Sequence, residues 1–358
     1  MPLSEHVTKE IEALCRAMPI TRMVDYGMTR EKALRAHREV RAGKRWDLAL
    51  VEIAQEEQTH AEAAADAALA REHWHAAAAS LIFAQMAFNA DSDRKRDLYR
   101  RMTQCFASFA ALSKYPAKKI EVSYRNATLL GWQFQPPDGP SGATVIAFGG
   151  MSGWSTAYRS MAEALCVRGI GCLLVDGPGQ GESRLEGGVY ADADVATGFS
   201  RFIDLAVTAS ADQRIGLWGN SYGGLLAALT AGRDDRVLAC CINGAPSRTD
   251  VPPFRTAQEQ LAAMFGCEDP VSLGRAVAPL AFDPRRTPLS CATLVLEGGA
   301  DVLVAPGSQR TFLEGNPNPK SRLQAWPDGE HTIYNHPLER NTVVADWFKS
   351  VLAPENSA

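Results

Sequence analysis

The chain has 358 residues, of which 46% are hydrophobic and 22% charged, and its formal net charge is -4. This composition is typical of a soluble globular protein, and the length predicts about two domains. The slightly acidic balance excludes the basic surface of a protein that binds nucleic acid or an anionic membrane, so we expect a small-molecule partner.

Cysteine usage and the N-terminus indicate the compartment. The eight cysteines are scattered through apolar runs, and no CxxC pair occurs. The first residues, MPLSEHVTKEIEAL, carry charges where a secretory signal would need an apolar block. The longest apolar run is shorter than the ~20 residues that span a bilayer. We therefore expect a reduced, cytoplasmic protein that does not insert into a membrane.

Residues 1 to 115 predict a helical domain. Glycine and proline are rare there, and apolar residues recur at steps of three and four from Leu98 to Leu112. Asp91 and Ser92 are both candidate N-caps for that last helix. The alanine-rich segment AEAAADAALA also favours a helix.

Residues 116 to 358 predict an α/β domain. The segment KKIEVSYRNATLLGWQF alternates around Asn126, which indicates an antiparallel pair of strands. Short apolar runs then alternate with helix-length segments, which is typical of a doubly wound, mostly parallel sheet. Residues 247 to 287 interrupt this alternation with prolines and a helical piece, so we expect a lid segment there.

A glycine-flanked serine lies between one such apolar run and a helix. In GNSYGG, Gly219, Ser221 and Gly223 match G-x-S-x-G in the strand, turn and helix context that this motif requires. Such a turn exposes the serine hydroxyl above the sheet edge, which predicts a nucleophile. The alternative is a serine N-cap between glycines that serve only packing.

A serine nucleophile needs a base and an acid, which should follow later strands. His331, in the loop after the predicted strand SRLQAW, is the preferred base, and His336 is its competitor. Asp301, after the strand ATLVLEGG, is the preferred acid, with Glu297 as the alternative. The order serine, aspartate, histidine is that of α/β-hydrolase triads.

Attack on a carbonyl also needs donors for the oxyanion. We assign one to the backbone N–H of Tyr222, directly after the serine, and the other to Gly150 or Met151 in FGGMSGW. DGPGQGES lacks the lysine of a phosphate-binding loop, so it is interpreted as a structural loop that borders the pocket. Three apolar residues could line a substrate pocket or belong to the core. They are Met151, Trp154 and Phe254.

With FGGMSGW, DGPGQGES, GNSYGG, GGADVLV and DGEH behind a helical region, the chain resembles the α/β-hydrolase group that contains 2,6-dihydroxypseudooxynicotine hydrolase, FrsA-like esterases and polyketide-shortening hydrolases. The resemblance implies an α/β-hydrolase fold whose helical N-terminal domain caps the active site and supports a homodimer. It gives Ser221, Asp301 and His331 the triad roles. It also implies an additional carboxylate, for which Asp250 is the candidate, although a solvated loop aspartate is the alternative.

These observations predict a serine hydrolase that needs no cofactor and no metal. The resemblance favours cleavage of a carbon–carbon bond next to the carbonyl of a small aromatic or polyketide-like ketone. An esterase, thioesterase or acyltransferase with the same triad is the alternative within hydrolytic chemistry. Elimination or cyclisation on the same fold, and a ligand-binding relative without chemistry, are further alternatives.

Overall fold

The computed structural model describes residues 4–139, 142–208, 213–250 and 255–354. The chain divides into two compact units, Met1–Lys114 and Tyr115–Ala358. Among the described residues, no helix combines the length and the apolar character needed to cross a membrane.

The first unit is helical. Four of its six described helices begin after a residue whose side chain accepts a backbone N–H group. At the last helix this residue is Ser92, whose Oγ lies 3.2 Å from the nitrogen of Lys95. The fifth helix is buried along most of its second half, where small alanine side chains allow its neighbours to pack closely. The helices are α1 (Glu5–Ala17), α2 (Ile20–Asp25), α3 (Arg30–Arg41), α4 (Trp46–Glu62), α5 (Ala67–Gln85) and α6 (Asp93–Ala111).

The second unit is built on a mixed sheet of eight strands in the order β1-β2-β4-β3-β5-β6-β7-β8. The first two strands form an antiparallel hairpin with Arg125 in the left-handed region at its turn, and β3 to β8 are parallel to one another. The strands are β1 (Ala117–Tyr124), β2 (Ala127–Phe134), β3 (Ala143–Phe148), β4 (Gly171–Asp176), β5 (Arg214–Asn220), β6 (Val237–Asn243), β7 (Ala292–Gly298) and β8 (Arg322–Trp326).

The strand order places a topological switch point at the centre of the sheet. Strand β3 pairs with β4 on one side and with β5 on the other, and Phe148 is paired with Gly219. The loops that follow β3 and β5 therefore leave the same edge side by side. In open α/β sheets such a crevice is where ligands bind.

The second unit also contains seven described α-helices. Two of them, Arg255–Phe265 and Pro270–Val277, lie between β6 and β7, where the sequence predicts a lid. The helices are α7 (Arg159–Cys166), α8 (Gly181–Leu185), α9 (Val195–Val207), α10 (Tyr222–Ala231), α11 (Arg255–Phe265), α12 (Pro270–Val277) and α13 (Pro337–Val351). Short 3₁₀ helices occur at Ser155–Tyr158, Ala278–Leu280, Ser308–Leu313 and His331–Ile333. Every residue of α10 is buried, which fixes the helix that starts at the glycine-flanked serine.

Candidate active site

Ser221 occupies a strained turn between β5 and α10. Its φ and ψ are 57° and -131°, a region that costs a non-glycine residue of order 1–3 kcal/mol. Two backbone hydrogen bonds hold the turn, from the Ser221 N–H to the carbonyl oxygen of Asn243 at 2.7 Å and from the Gly224 N–H to the Ser221 carbonyl oxygen at 2.8 Å. A Cβ atom on Gly219 would collide with the carbonyl oxygen of Gly223, so only glycine fits there.

His331 faces this serine. Its Nε2 lies 2.9 Å from the Ser221 Oγ, although 110 residues separate the two in the sequence. His331 starts the 3₁₀ turn that follows β8, and the next residue, Thr332, has a φ of 52°. His336 has a different environment, because it is the N-cap residue of α13 and its Nε2 lies 3.0 Å from the Asp328 carboxylate.

Asp301 lies on the other side of the imidazole. Its Oδ2 is 2.8 Å from the His331 Nδ1. Its Oδ1 accepts the backbone N–H groups of Leu303 and Val304 at 2.8 and 3.0 Å. These donors satisfy the buried carboxylate and leave one oxygen to orient the ring.

Glu297 lies at the end of the same strand, β7, but its carboxylate has another partner. Its Oε2 accepts the backbone N–H of Gly307 at 2.6 Å. Among the described residues, the carboxylate that contacts the His331 imidazole is that of Asp301. The geometry therefore favours Asp301 over Glu297 as the acid.

Gly150 borders the space in front of the Tyr222 amide. Tyr222 is the first residue of α10, where a backbone N–H has no acceptor within the helix. A Cβ atom on Gly150 would lie 2.8 Å from the Tyr222 nitrogen and 3.0 Å from the Ser221 Cβ. Glycine therefore leaves room for an oxyanion beside this amide and beside the start of the helix. Met151 is the next residue of the loop and packs half-buried against the core.

Gln180 is a residue that the sequence analysis did not single out. Its side-chain amide donates to the carbonyl oxygens of Gly149 and Gly150, and its Oε1 accepts the backbone N–H of Gly177 at 3.1 Å. The loop after β4 thus holds the loop after β3 in place. A glutamine within a glycine-rich loop was the available signal, but its partners lie about 30 residues away.

A buried amide network lies beneath the histidine turn. The Asn243 Nδ2 donates to the Asn220 Oδ1 at 2.7 Å and to the Thr332 carbonyl oxygen at 3.0 Å. The Arg340 Nη1 donates to the same carbonyl oxygen at 3.0 Å. All four residues are buried, so the network fixes the backbone next to His331 through groups that water does not reach. The sequence offered no signal for it beyond polar residues at strand ends.

The remaining predicted site residues lie in different surroundings. Trp154 is buried, with the Arg184 guanidinium 5.5 Å from the centre of its ring. Asp250 is exposed in the loop after β6. Phe254 lies outside the described residues. Among the described residues, no hydrogen bond joins Trp154 or Asp250 to the Ser221 hydroxyl.

The Tyr222 side chain is buried next to the serine. Its ring lies edge-on to Phe265 in α11, and no hydrogen-bond partner for its hydroxyl is found among the described residues. Burial raises the pKa of the Tyr222 phenol well above its ordinary value. The hydroxyl therefore stays protonated at neutral pH and cannot serve as a base.

Comparison with known proteins agrees with this architecture. Residues 139–267 match a family model described as serine aminopeptidase, S33. The 2,6-dihydropseudooxynicotine hydrolase of Paenarthrobacter nicotinovorans is 26% identical over 266 residues, which cover 73% of this chain and 71% of that protein.

Solved structures show the same fold. The crystal structure of the 2,6-dihydroxy-pseudo-oxynicotine hydrolase is similar with a TM-score of 0.81 at 24% identity, and the match covers 93% of this chain and 95% of that chain. AbyA5 is similar with a TM-score of 0.70 at 18% identity, covering 85% and 88% of the two chains. The chain therefore has the α/β-hydrolase fold and is similar to the group that contains 2,6-dihydroxypseudooxynicotine hydrolase.

Proposed function

We propose that the protein is a serine-triad hydrolase that cleaves a bond next to a carbonyl. The proposal rests on one observation, the chain of two hydrogen bonds from the Ser221 Oγ through the His331 imidazole to the Asp301 carboxylate, at 2.9 and 2.8 Å. A hydroxyl, an imidazole and a carboxylate in this order are the parts that activate a serine for acyl transfer. The strained turn under Ser221 supports the same role.

In this mechanism the His331 Nε2 takes the hydroxyl proton as the Ser221 oxygen attacks the carbonyl carbon. Asp301 stabilises the imidazolium that forms and keeps its Nδ1 proton in place. The carbonyl oxygen becomes an oxyanion, which accepts the Tyr222 N–H and an N–H of Gly150 or Met151. Collapse of this intermediate breaks the bond to the leaving group, and the imidazolium protonates that group. Water, deprotonated by His331, then releases the acyl group as a carboxylic acid.

For the substrate we propose a small aromatic or polyketide-like ketone whose carbon–carbon bond is hydrolysed. The leaving group is then a carbanion, so it must be stabilised as an enolate or by an electron-rich ring before it is protonated. The resemblance to the group above and the 26% identity to the 2,6-dihydropseudooxynicotine hydrolase support this class. The residues named in the mechanism need no cofactor.

The nucleophile is tested with the Ser221→Ala variant. Ser123→Ala is the matched control, because Ser123 is exposed in β1 and does not belong to the turn between β5 and α10. A fluorophosphonate probe should add one phosphonyl group to the control and none to Ser221→Ala, as measured by intact mass. Turnover should be lost in Ser221→Ala alone. Labelling of both variants to the same extent would contradict the proposed nucleophile.

The bond type is tested with a panel of β-diketones, aryl ketones, aryl esters and thioesters. Carbon–carbon cleavage predicts turnover of ketones with release of an acid and a ketone or arene. Rapid turnover of simple esters with no action on any ketone would assign the same residues to an esterase or thioesterase. Product formation without an acyl-enzyme would instead indicate elimination or cyclisation.

The assembly is a separate proposal. The resemblance implies a homodimer, and the measurement that tests it is light scattering of the purified full-length chain. A mass of one chain at all concentrations would contradict it without affecting the proposed chemistry.

A further inference from the structure

Three potential metal ligands meet on neighbouring helices of the first unit. Glu57 and His60 are three residues apart on α4, a spacing that puts both on one face of the helix. His73 comes from α5, which packs along α4. One ligand atom from each side chain lies within 4.8 Å of the other two.

The burial of these side chains is graded. The Glu57 side chain is only 3% exposed, whereas that of His73 is 27% exposed and His60 is an exposed residue. The rings of His60 and His73 are 5.2 Å apart between centroids. A buried carboxylate thus lies beneath two imidazoles that solvent reaches, which gives an ion a path of entry.

The two oxygens of Glu57 have different partners. Its Oε1 is paired with the Lys32 ammonium from α3, and its Oε2 lies 2.6 Å from the His73 Nδ1. Lys32 therefore holds the carboxylate by one oxygen and leaves the other directed toward the two imidazoles. Partners of this kind orient metal-ligating carboxylates in many sites.

We propose that Glu57, His60 and His73 bind one divalent transition-metal ion of the zinc class and thereby link α4 to α5. Imidazole and carboxylate ligands suit Zn²⁺ and its neighbours in the first row, whereas Mg²⁺ and Ca²⁺ prefer sites made of oxygen ligands. Three protein ligands leave a further position for water. The ion takes the place of the hydrogen bond between Glu57 and His73, and the ring proton of His73 passes through solvent from Nδ1 to Nε2, so that the imidazole binds in its neutral form.

This site departs from the sequence-based expectation that the protein needs no metal. The three residues do not form one local motif, because the third ligand comes from a separate helix. The site lies in the helical unit, and the proposed hydrolysis takes no step through it. Its effect should be on stability, because an ion that binds only the folded state raises the melting temperature.

The test uses the full-length chain and removes one histidine of the site at a time. Zn²⁺ alone is titrated into the wild type, His60→Ala and His73→Ala, with His6→Ala as the matched control, because His6 is exposed in α1 outside the cluster. We expect the dissociation constant for Zn²⁺ to be at least about tenfold larger in His60→Ala and His73→Ala than in the wild type, and unchanged in His6→Ala. Addition of Zn²⁺ should raise the melting temperature of the wild type and of His6→Ala, but not that of His60→Ala or His73→Ala.

Two further measurements separate this site from the cysteines. Calorimetry in two buffers of different ionisation enthalpy should detect no release of protons at about pH 8, because neutral imidazoles and a carboxylate lose none on binding an ion, whereas cysteine thiols do. Co²⁺ bound at the site should give visible bands without the thiolate charge-transfer absorption of a cysteine ligand. Binding of the same strength in His60→Ala and His73→Ala, or a loss as large in His6→Ala, would overturn the proposal. Circular dichroism checks that each variant is folded.

Discussion

The backbone of Gly150 lies directly against the amide of Tyr222, so that a Cβ atom at residue 150 would be 2.8 Å from the Tyr222 nitrogen. The loop after β3 and the start of α10 therefore face each other across a gap that a methyl group would fill. In the proposed mechanism this gap holds the oxyanion, which makes the size of residue 150 decisive.

Replacing Gly150 with Ala should lower kcat on the order of 10²- to 10³-fold, the effect of losing an oxyanion donor. The added methyl group would push the loop away from the Tyr222 amide, while the fold should survive because residue 150 has an ordinary φ. Steady-state kinetics and a thermal melt measure the two effects.

Gly274→Ala is the matched control for this change. Gly274 lies within α12, and a Cβ atom there would contact nothing within 4 Å. Alanine favours a helix over glycine, so this variant should keep its activity and be slightly more stable. Full activity in Gly150→Ala would remove the assigned oxyanion position.

Gln180→Ala should reduce kcat by roughly tenfold to a hundredfold with a smaller change in KM. The side chain donates to two carbonyl oxygens of the loop after β3, so its loss lets that loop shift without touching the substrate. Gln180→Glu should be worse, because a carboxylate cannot donate to those oxygens and its negative charge is repelled by them. An unchanged kcat in both variants would show that the loop is held by other contacts.

Asn243→Ala should lower both stability and activity. The change leaves the Thr332 carbonyl oxygen with fewer donors and removes the bond to Asn220, which predicts a loss of about 1–3 kcal/mol in the free energy of unfolding. Activity should also fall at temperatures where the variant is fully folded, because the turn that carries His331 loses one of its hydrogen bonds. Unfolding cannot account for that part of the loss. Chemical denaturation and kinetics at low temperature measure the two effects separately.

Asp301→Asn should lower kcat on the order of 10⁴-fold, because an amide no longer keeps the imidazole in the required tautomer. Glu297→Gln is the comparison, since the Glu297 carboxylate accepts a backbone N–H of Gly307 instead. That variant should retain activity within a few fold. The opposite ranking of the two variants would make Glu297 the acid.

His37 should make the stability of the chain fall as the solution becomes acidic. It is buried, with its Nε2 3.0 Å from the Met18 carbonyl oxygen, and burial lowers its pKa below the ordinary value of about 6.5. Above that value neither state carries the proton. As the pH falls below it, the unfolded chain gains a proton that the folded chain resists, so the free energy of unfolding decreases.

The His37→Gln variant isolates this effect, because glutamine also donates to a carbonyl oxygen but does not titrate. Urea unfolding at about pH 7.5 and about pH 5.5 should show a smaller decrease in the variant than in the wild type. Equal decreases would mean that other groups account for the pH dependence.

The sequence predicted the fold class because its signals are local. Apolar runs of strand length between helix-length segments predicted the parallel sheet, and the α/β-hydrolase fold is confirmed by the observed sheet and by the solved structures that resemble it. The glycines around Ser221 predicted its turn, since the need for missing Cβ atoms can be recognised in a few adjacent residues.

The chain order of serine, aspartate and histidine predicted which residues to consider, and their roles stay a prediction that the variants above test. The sequence preferred Asp301 over Glu297 and His331 over His336, and the packed structure adds the contacts of each side chain, which depend on where it points after the strand ends.

The amino-acid sequence by itself determined the alternation of strands and helices, the serine turn and the small set of candidate partners, because these follow from backbone sterics and side-chain periodicity over short stretches. Tertiary structure alone decided that Gln180 holds the loop after β3, that Asn243 supports the histidine turn, and that Glu57 and His73 meet. Those contacts join residues that are distant in sequence or lie on different helices. Their distances are set by packing of the whole unit, which no local pattern encodes.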